Sequence, residues 1–130
     1  MRREIRAEKV HEPLGHYTDA VQFGELLYLS GCGPTGMNHE VVGGDDIDAQ
    51  ARQVYLNIGN ILEAAGARAQ DVLSVTTYLT DAADARAVDG AKREFFGEAR
   101  TASATVIVAD LLVPGARVEV QAVARIPSER

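Results

Sequence analysis

The sequence predicts an α+β fold, a two-layer sandwich in the order ββαβαββ with both helices on one face of a mixed sheet. Three observations carry the prediction. One stretch, Asp46–Ala65, spaces its apolar residues by three and four, the stripe of a helix lying on a core. A second, Arg117–Arg125, places Val118, Val120, Ala122 and Ala124 between Arg117, Glu119, Gln121 and Arg125, the period of two that belongs to a strand. Strand and helix patterns then alternate along the chain with no linker between them, so residues 1–130 form a single domain.

Residues 1–17 carry mixed charge and end in EPLGHY, which predicts a short edge strand or an extended arm. Ala20–Phe23 and Leu26–Ser30 are β-prone runs separated by Gly24-Glu25, the signature of a tight hairpin. SGCGPTGMNHEVVGG follows with five glycines and a proline. It is a loop whose backbone amides can approach a neighbour closely, and it has neither the Gly-Lys-Ser/Thr of a phosphate loop nor a GxGxxG at a helix start.

In the long helix, Ile47, Ala51, Val54, Tyr55, Ile58, Ile61, Leu62 and Ala65 form the stripe. Asp45 or Asp46 caps it and Gly66 stops it. Asp71–Thr80 is a strand with Leu73, Val75 and Leu79 on one face and Val72, Ser74, Thr76 and Tyr78 on the other. Asp81–Gly97 is a second helix burying Ala83, Ala87, Val88, Ala91, Phe95 and Phe96. Ser103–Val108 and Arg117–Arg125 are the last strands, joined by a Pro-Gly loop and rich in the β-branched residues that suit a pleated surface.

Composition removes several function classes. Thirteen basic against 19 acidic residues give a net charge of −6, the opposite of a nucleic-acid footprint. No apolar run reaches membrane-spanning length, and the charged start MRREIRAEKV is unlike a signal peptide, so a cytoplasmic location is expected. The lone Cys32 cannot form an internal disulfide. His11, His16, His39 and Cys32 show no short-spaced ligand pair, so no metal is expected. The second sheet face is different. Thr76, Tyr78, Thr105, Ile107, Glu119 and Gln121 make it part apolar and part polar, the character of a subunit interface, and self-association is expected.

GHY at 15–17, LYLSGCGP at 27–34, DAQARQVYLNIGNILEAAGA at 48–67, DVLSVTTYLTD at 71–81, REFFGE at 93–98 and VPGARVEVQAVA at 113–124 together resemble the Rid family. These are the reactive intermediate deaminases of the YjgF type, historically labelled endoribonuclease L-PSP. The resemblance implies a chorismate-mutase-like fold and a homotrimer whose sheets form a central barrel, with small-molecule clefts between neighbouring subunits. It also implies cofactor-independent hydrolysis of enamines and imines such as 2-aminoacrylate. Glu119 then corresponds to the residue that directs water or a proton, and Tyr17, Ser30 and Gly31 correspond to cleft residues.

The chain departs from that pattern at several cleft positions. Ser103 stands where the family has a carboxylate-binding arginine, and Arg100 lies three residues earlier. A shift of three residues is about 10 Å along a strand and reverses the face, which argues against Arg100 as a direct substitute. Asp89 and Lys92 occupy positions of a cleft Asn and Tyr, His16 replaces a proline, and Cys32 stands where glutamine is common.

The catalytic candidate is therefore Glu119, whose purely structural alternative is a solvated carboxylate paired with Arg117 or Arg125. Tyr17, Ser30, Gly31, Cys32, Ser103 and Thr105 are the substrate-binding candidates. Cys32 is either a small buried hydrophobe or a thiol activated by the amides of its Gly-rich turn. Three functions are in view: an imine or enamine deaminase or related hydrolase, a non-catalytic ligand-binding or regulatory trimer, and a ribonuclease. The net charge disfavours the last.

Overall fold

The computed structural model describes residues 1–127. Six strands form one sheet: β1 (Arg2–Ile5), β2 (Ala20–Phe23), β3 (Leu26–Leu29), β4 (Val72–Leu79), β5 (Ala102–Ile107) and β6 (Val118–Arg125), in the spatial order β1-β2-β3-β6-β4-β5. The helices are α1 (Ile47–Ala64) and α2 (Ala85–Phe96). The order ββαβαββ is present, with β1 as the expected extra edge strand.

All neighbouring pairs are antiparallel except β4 and β5. A parallel pair needs a long crossover, and α2 supplies it. The last two strands are therefore not a hairpin: β6 and β5 lie on either side of β4.

The α1 stripe is the centre of the core. Ala51, Val54, Ile58, Ile61 and Leu62 are at most 2% exposed and face Leu27, Leu29, Val75, Leu79, Val118, Val120, Ala122 and Ala124 of the sheet. Each fully buried aliphatic side chain of this kind contributes about 1.5–3 kcal/mol. Asp46 caps α1 by accepting from the amides of Asp48 (3.0 Å) and Ala49 (3.3 Å). Gly66, at φ +82°, turns the chain away at its end.

Two expectations change. The register of β4 against β6 shifts between Val72 and Ser74. This bulge puts both Val72 and Val75 in the core and turns Leu73 out, 46% exposed, where strict alternation had placed it with Val75 and Leu79. The second helix also starts later. Asp81 caps a 3₁₀ turn, Ala82–Asp84, before α2 begins at Ala85. Ala83 is exposed, and the buried residue of the turn is Asp84. Its carboxylate takes a two-pronged grip from Arg117, with Nε at 3.1 Å and Nη2 at 2.5 Å, and that contact fixes the turn where a helix would have carried the aspartate past it.

Both helices cover the same sheet face. The other face is open and carries Phe23, Leu26, Tyr28 and Leu73, all more than a third exposed, beside Glu119 and Gln121 of β6. Strand β5 is exposed along its whole length.

Candidate functional site

Strand parity places Val118 and Val120 under the helices and Glu119 between them on the open face. There Glu119 lies over Gly31. A Cβ on Gly31 would fall inside contact distance of Glu119 Oε2 and 3.0 Å from its Cδ, so the missing side chain makes room for the carboxylate. The structural alternative for Glu119 fails: Arg117 is held by Asp84, and Arg125 lies 3.7 Å from Asp71. Among the described residues Glu119 has no hydrogen-bond or ion-pair partner. Burial pushes its carboxyl above the usual carboxylate range, because partial desolvation disfavours the charged form and nothing nearby offsets it.

The loop carrying Gly31 is pinned from several sides. Cys32 and Val120 exchange backbone hydrogen bonds of 2.8 and 3.0 Å, which extends the sheet beside Glu119. Ser30 donates its hydroxyl to Thr18 O at 2.6 Å, and its amide donates to Asp19 O at 2.9 Å. Asn57 of α1 donates Nδ2 to Gly33 O (3.1 Å) and Thr35 O (2.9 Å).

Tyr17 reaches the same neighbourhood. With Ser30, Gly31, Cys32, Asp19 and Asn57 it borders a notch of about 20 Å³, the size of one water molecule. Its hydroxyl accepts from Leu14 N at 3.1 Å, and the residue is 44% exposed.

Cys32 belongs to the core side of this arrangement. It is 6% exposed, and its thiol lies 3.7 Å from Ser30 O. Burial, reinforced by the nearby carboxylates of Asp19 and Glu119, pushes the thiol up to about 12. The amides of the turn do not activate it, and the small-hydrophobe alternative describes its surroundings.

Ser103 and Thr105 are elsewhere. Both lie on exposed β5, level with Val75 and Thr77 of β4, the buried helix-side residues of that strand. Thr105 and Ile107 are therefore on the face away from Glu119, and not beside it as strand alternation in the sequence had placed them. Because β4 separates β5 from β6, the edge strand is about 10 Å from Glu119 across the sheet. Ser103 Oγ instead accepts from Lys92 Nζ of α2 at 2.6 Å. One chain thus gathers Tyr17, Ser30, Gly31 and Cys32 around the notch, sets Glu119 against Gly31, and leaves Ser103 and Thr105 apart.

Three supporting residues escaped the sequence reading. Gln50 and Asn57 lie in the polar gaps of the α1 stripe yet are 0% and 4% exposed. Gln50 donates to Gly44 O and Gly115 O and accepts from Arg117 N, tying the loop before α1 to the start of β6. Asp19, 4% exposed, receives the Arg6 guanidinium and the Ala7 amide. The available signal was an amide side chain one turn from Val54, four residues before it for Gln50 and three after it for Asn57, at a helical position that faces inward.

A half-buried carboxylate with no partner, on a sheet face and beside a side-chain-free glycine, can take a proton from water or return one to a small molecule. Among the described residues no three His, Cys, Asp or Glu side chains converge as a metal-ligand group, and no helix is long and apolar enough to cross a membrane.

Comparison with known proteins matches residues 8–126 to the family model described as endoribonuclease L-PSP. A 2-iminobutanoate/2-iminopropanoate deaminase of Dermatophagoides farinae is 36% identical over 94% of this chain and 94% of its own length. The 3-aminoacrylate deaminase RutC of Acinetobacter baylyi is 35% identical over 94% and 96%. Among solved structures, a putative endoribonuclease of Thermotoga maritima superposes with a TM-score of 0.92 at 30% identity, covering 98% of this chain and all of that one. The YjgF gene product of E. coli gives 0.88 at 30% identity, covering 96% and 99%.

Proposed function

From the premise that this chain belongs to the endoribonuclease L-PSP family, the YjgF/Rid proteins, we propose that it hydrolyses a small imine or enamine, with Glu119 directing the water. The observation that carries the reading is the unpaired Glu119 carboxylate over Gly31. Water adds to the carbon of the C=N bond as Glu119 accepts its proton. The nitrogen is protonated, the carbinolamine collapses, and a carbonyl compound and ammonia leave. An enamine enters the same route after protonation at carbon. The steps are proton transfers and additions, so side chains suffice and no cofactor is invoked. Related deaminases acting on 2-imino acids and 3-aminoacrylate make this substrate class the natural one to test.

The reading includes a homotrimer. Its support is the uncovered apolar surface of Leu26, Tyr28 and Leu73 on the open face, together with the distance of Ser103 and Thr105 from Glu119 in one chain. A neighbour's β5 edge laid against Glu119 and Gly31 would unite the two groups in a cleft between subunits. A cytoplasmic setting, where such intermediates arise, completes the proposal. Although the family bears a ribonuclease description, a net charge of −6 supplies no electrostatic footprint for RNA.

The test generates 2-iminobutanoate with an amino-acid oxidase in the presence of semicarbazide and follows keto-acid release. Wild type is expected to accelerate release and Glu119→Gln to lose the acceleration. Failure of wild type to accelerate, or full activity in Glu119→Gln, would overturn the reading. Sedimentation at three times the protomer mass is the expected assembly state, and a monomer would remove the inter-subunit cleft.

A further inference from the structure

We propose that His11 and His39, with the backbone carbonyl of Glu12 between them, form a binding site for a late first-row divalent metal ion, Cu²⁺ before Zn²⁺. Spacing along the sequence offered no ligand pair among the histidines. The fold makes one from two distant segments, the arm before β2 and the turn after β3.

Both rings aim at one point. His11 Nδ1 and His39 Nε2 donate to the same Glu12 carbonyl oxygen, at 2.8 and 2.9 Å. The ring centroids are 4.8 Å apart and meet edge to face. Two imidazoles that share an ion, with nitrogens about 2.0–2.1 Å from it and about 90–110° between them, have centroids about 4.5–5.2 Å apart. An ion at the point of convergence therefore needs each ring to close in by less than about 1 Å. A neutral imidazole carries its proton on either nitrogen, so each ring becomes a ligand once that proton moves to its other nitrogen. The carbonyl oxygen stays alongside as a third donor.

His39 is held in place for this. At φ +66° it is the one residue other than glycine with a positive φ among the described residues, a conformation that disfavours a side chain. The turn around it is closed by Gly36 N to Glu40 O (2.9 Å), His39 N to Gly36 O (3.0 Å) and Asn38 N to Glu40 Oε1 (3.0 Å). Glycine would suit the backbone better and would present no ring. The arm is held as well, since Arg6 bonds both Asp19 and Val10 O. Donors fixed beforehand lose less freedom when they bind.

The donor set selects the ion. Two imidazole nitrogens and a carbonyl oxygen suit Cu²⁺, which leads the divalent series, and they leave Mg²⁺, which prefers oxygen alone, without a site. The chain's net charge of −6 attracts a cation, and Cys32, 6% exposed, is too sealed to compete. His11 also borders the notch shared with Tyr17 and Gly31, so a bound ion would clamp the arm to the turn at the edge of that notch. None of this rests on the deaminase reading.

The test titrates the full-length protein, first stripped with a chelator, with Cu²⁺, Zn²⁺ and Mg²⁺ by calorimetry, and records the EPR spectrum of the Cu²⁺ form. One Cu²⁺ per chain is expected, with hyperfine coupling to imidazole nitrogen and weaker binding of Zn²⁺. Affinity should fall at least about tenfold in His11→Ala and in His39→Gly and stay unchanged in His16→Ala, which alters the third histidine. Because glycine accepts the positive φ, His39→Gly should melt at or above the wild-type temperature, which separates lost ligation from lost folding. No Cu²⁺ binding by wild type, unchanged affinity in either His11→Ala or His39→Gly, an equal loss in His16→Ala, or Mg²⁺ binding as tightly as Cu²⁺ would each overturn the proposal.

Discussion

Two carboxylates stand near the start of β6 in opposite circumstances. Asp84, its side chain 6% exposed, is gripped by two nitrogens of Arg117. Glu119, two residues beyond that arginine, is half-buried with nothing to bind it, above a glycine whose missing side chain leaves it space. The first fastens a turn to a strand and stabilises the fold. The second fastens nothing, and the fold tolerates it. A carboxylate desolvated without compensation is a cost that packing alone does not explain, and the contrast is what distinguishes a site from a junction.

The sharpest way to break this comparison is Glu119→Gln. Turnover should fall about 10²–10⁴-fold while cooperative thermal unfolding persists at the wild-type temperature or above it. Retained turnover would make Glu119 a bystander. Asp84→Ala should do the opposite, lowering unfolding free energy in urea by about 2–3 kcal/mol, because Arg117 would lose a buried partner but keep Asp45 O. A stability change near zero would place the turn's anchor elsewhere.

Gly31→Ala should be milder. Gly31 is not in the left-handed region, so the backbone accepts alanine, but the new methyl must displace the carboxylate. About tenfold lower turnover with a near-native melting temperature is expected, and wild-type kinetics would show that the space over Gly31 is unimportant. The smallest effect concerns pH. Since burial raises the Glu119 pKa, the folded protein holds this proton more tightly than the unfolded chain. The resulting stabilisation is present below the unfolded value and is lost as pH rises through the folded one. Comparing melting temperatures at about pH 4 and about pH 7, wild type should drop relative to Glu119→Gln at the higher pH, and parallel curves would contradict the shift.

The strongly periodic parts of the fold were legible in the sequence. The α1 stripe and the alternation of β6 predicted both elements and placed Glu119 on the face away from the helices. Periodicity failed where one contact outweighed pattern. The bulge at Leu73 breaks a period of two and exchanges which side chain is buried. Asp84 is buried because Arg117 reaches it from a distant segment, a partnership that no local pattern encodes. Gln50 and Asn57 read as polar gaps in an apolar stripe, yet they satisfy carbonyls of loops far along the chain. Lys92 was noted as a departure, but its reach to Ser103 depends on how α2 lies over β5, which only tertiary packing specifies.

The sealed thiol has a practical consequence. Cys32 is the chain's single cysteine, it adjoins Gly31, and at a pKa of about 12 almost none of it is thiolate under ordinary conditions. An alkylating reagent can therefore act only on molecules that have opened there. Labelling rate against reagent concentration would report the free energy of that opening, with no introduced probe and no background from a second thiol. The protein carries a built-in clock on the loop beside Glu119, and any ligand that clamps the loop should slow it.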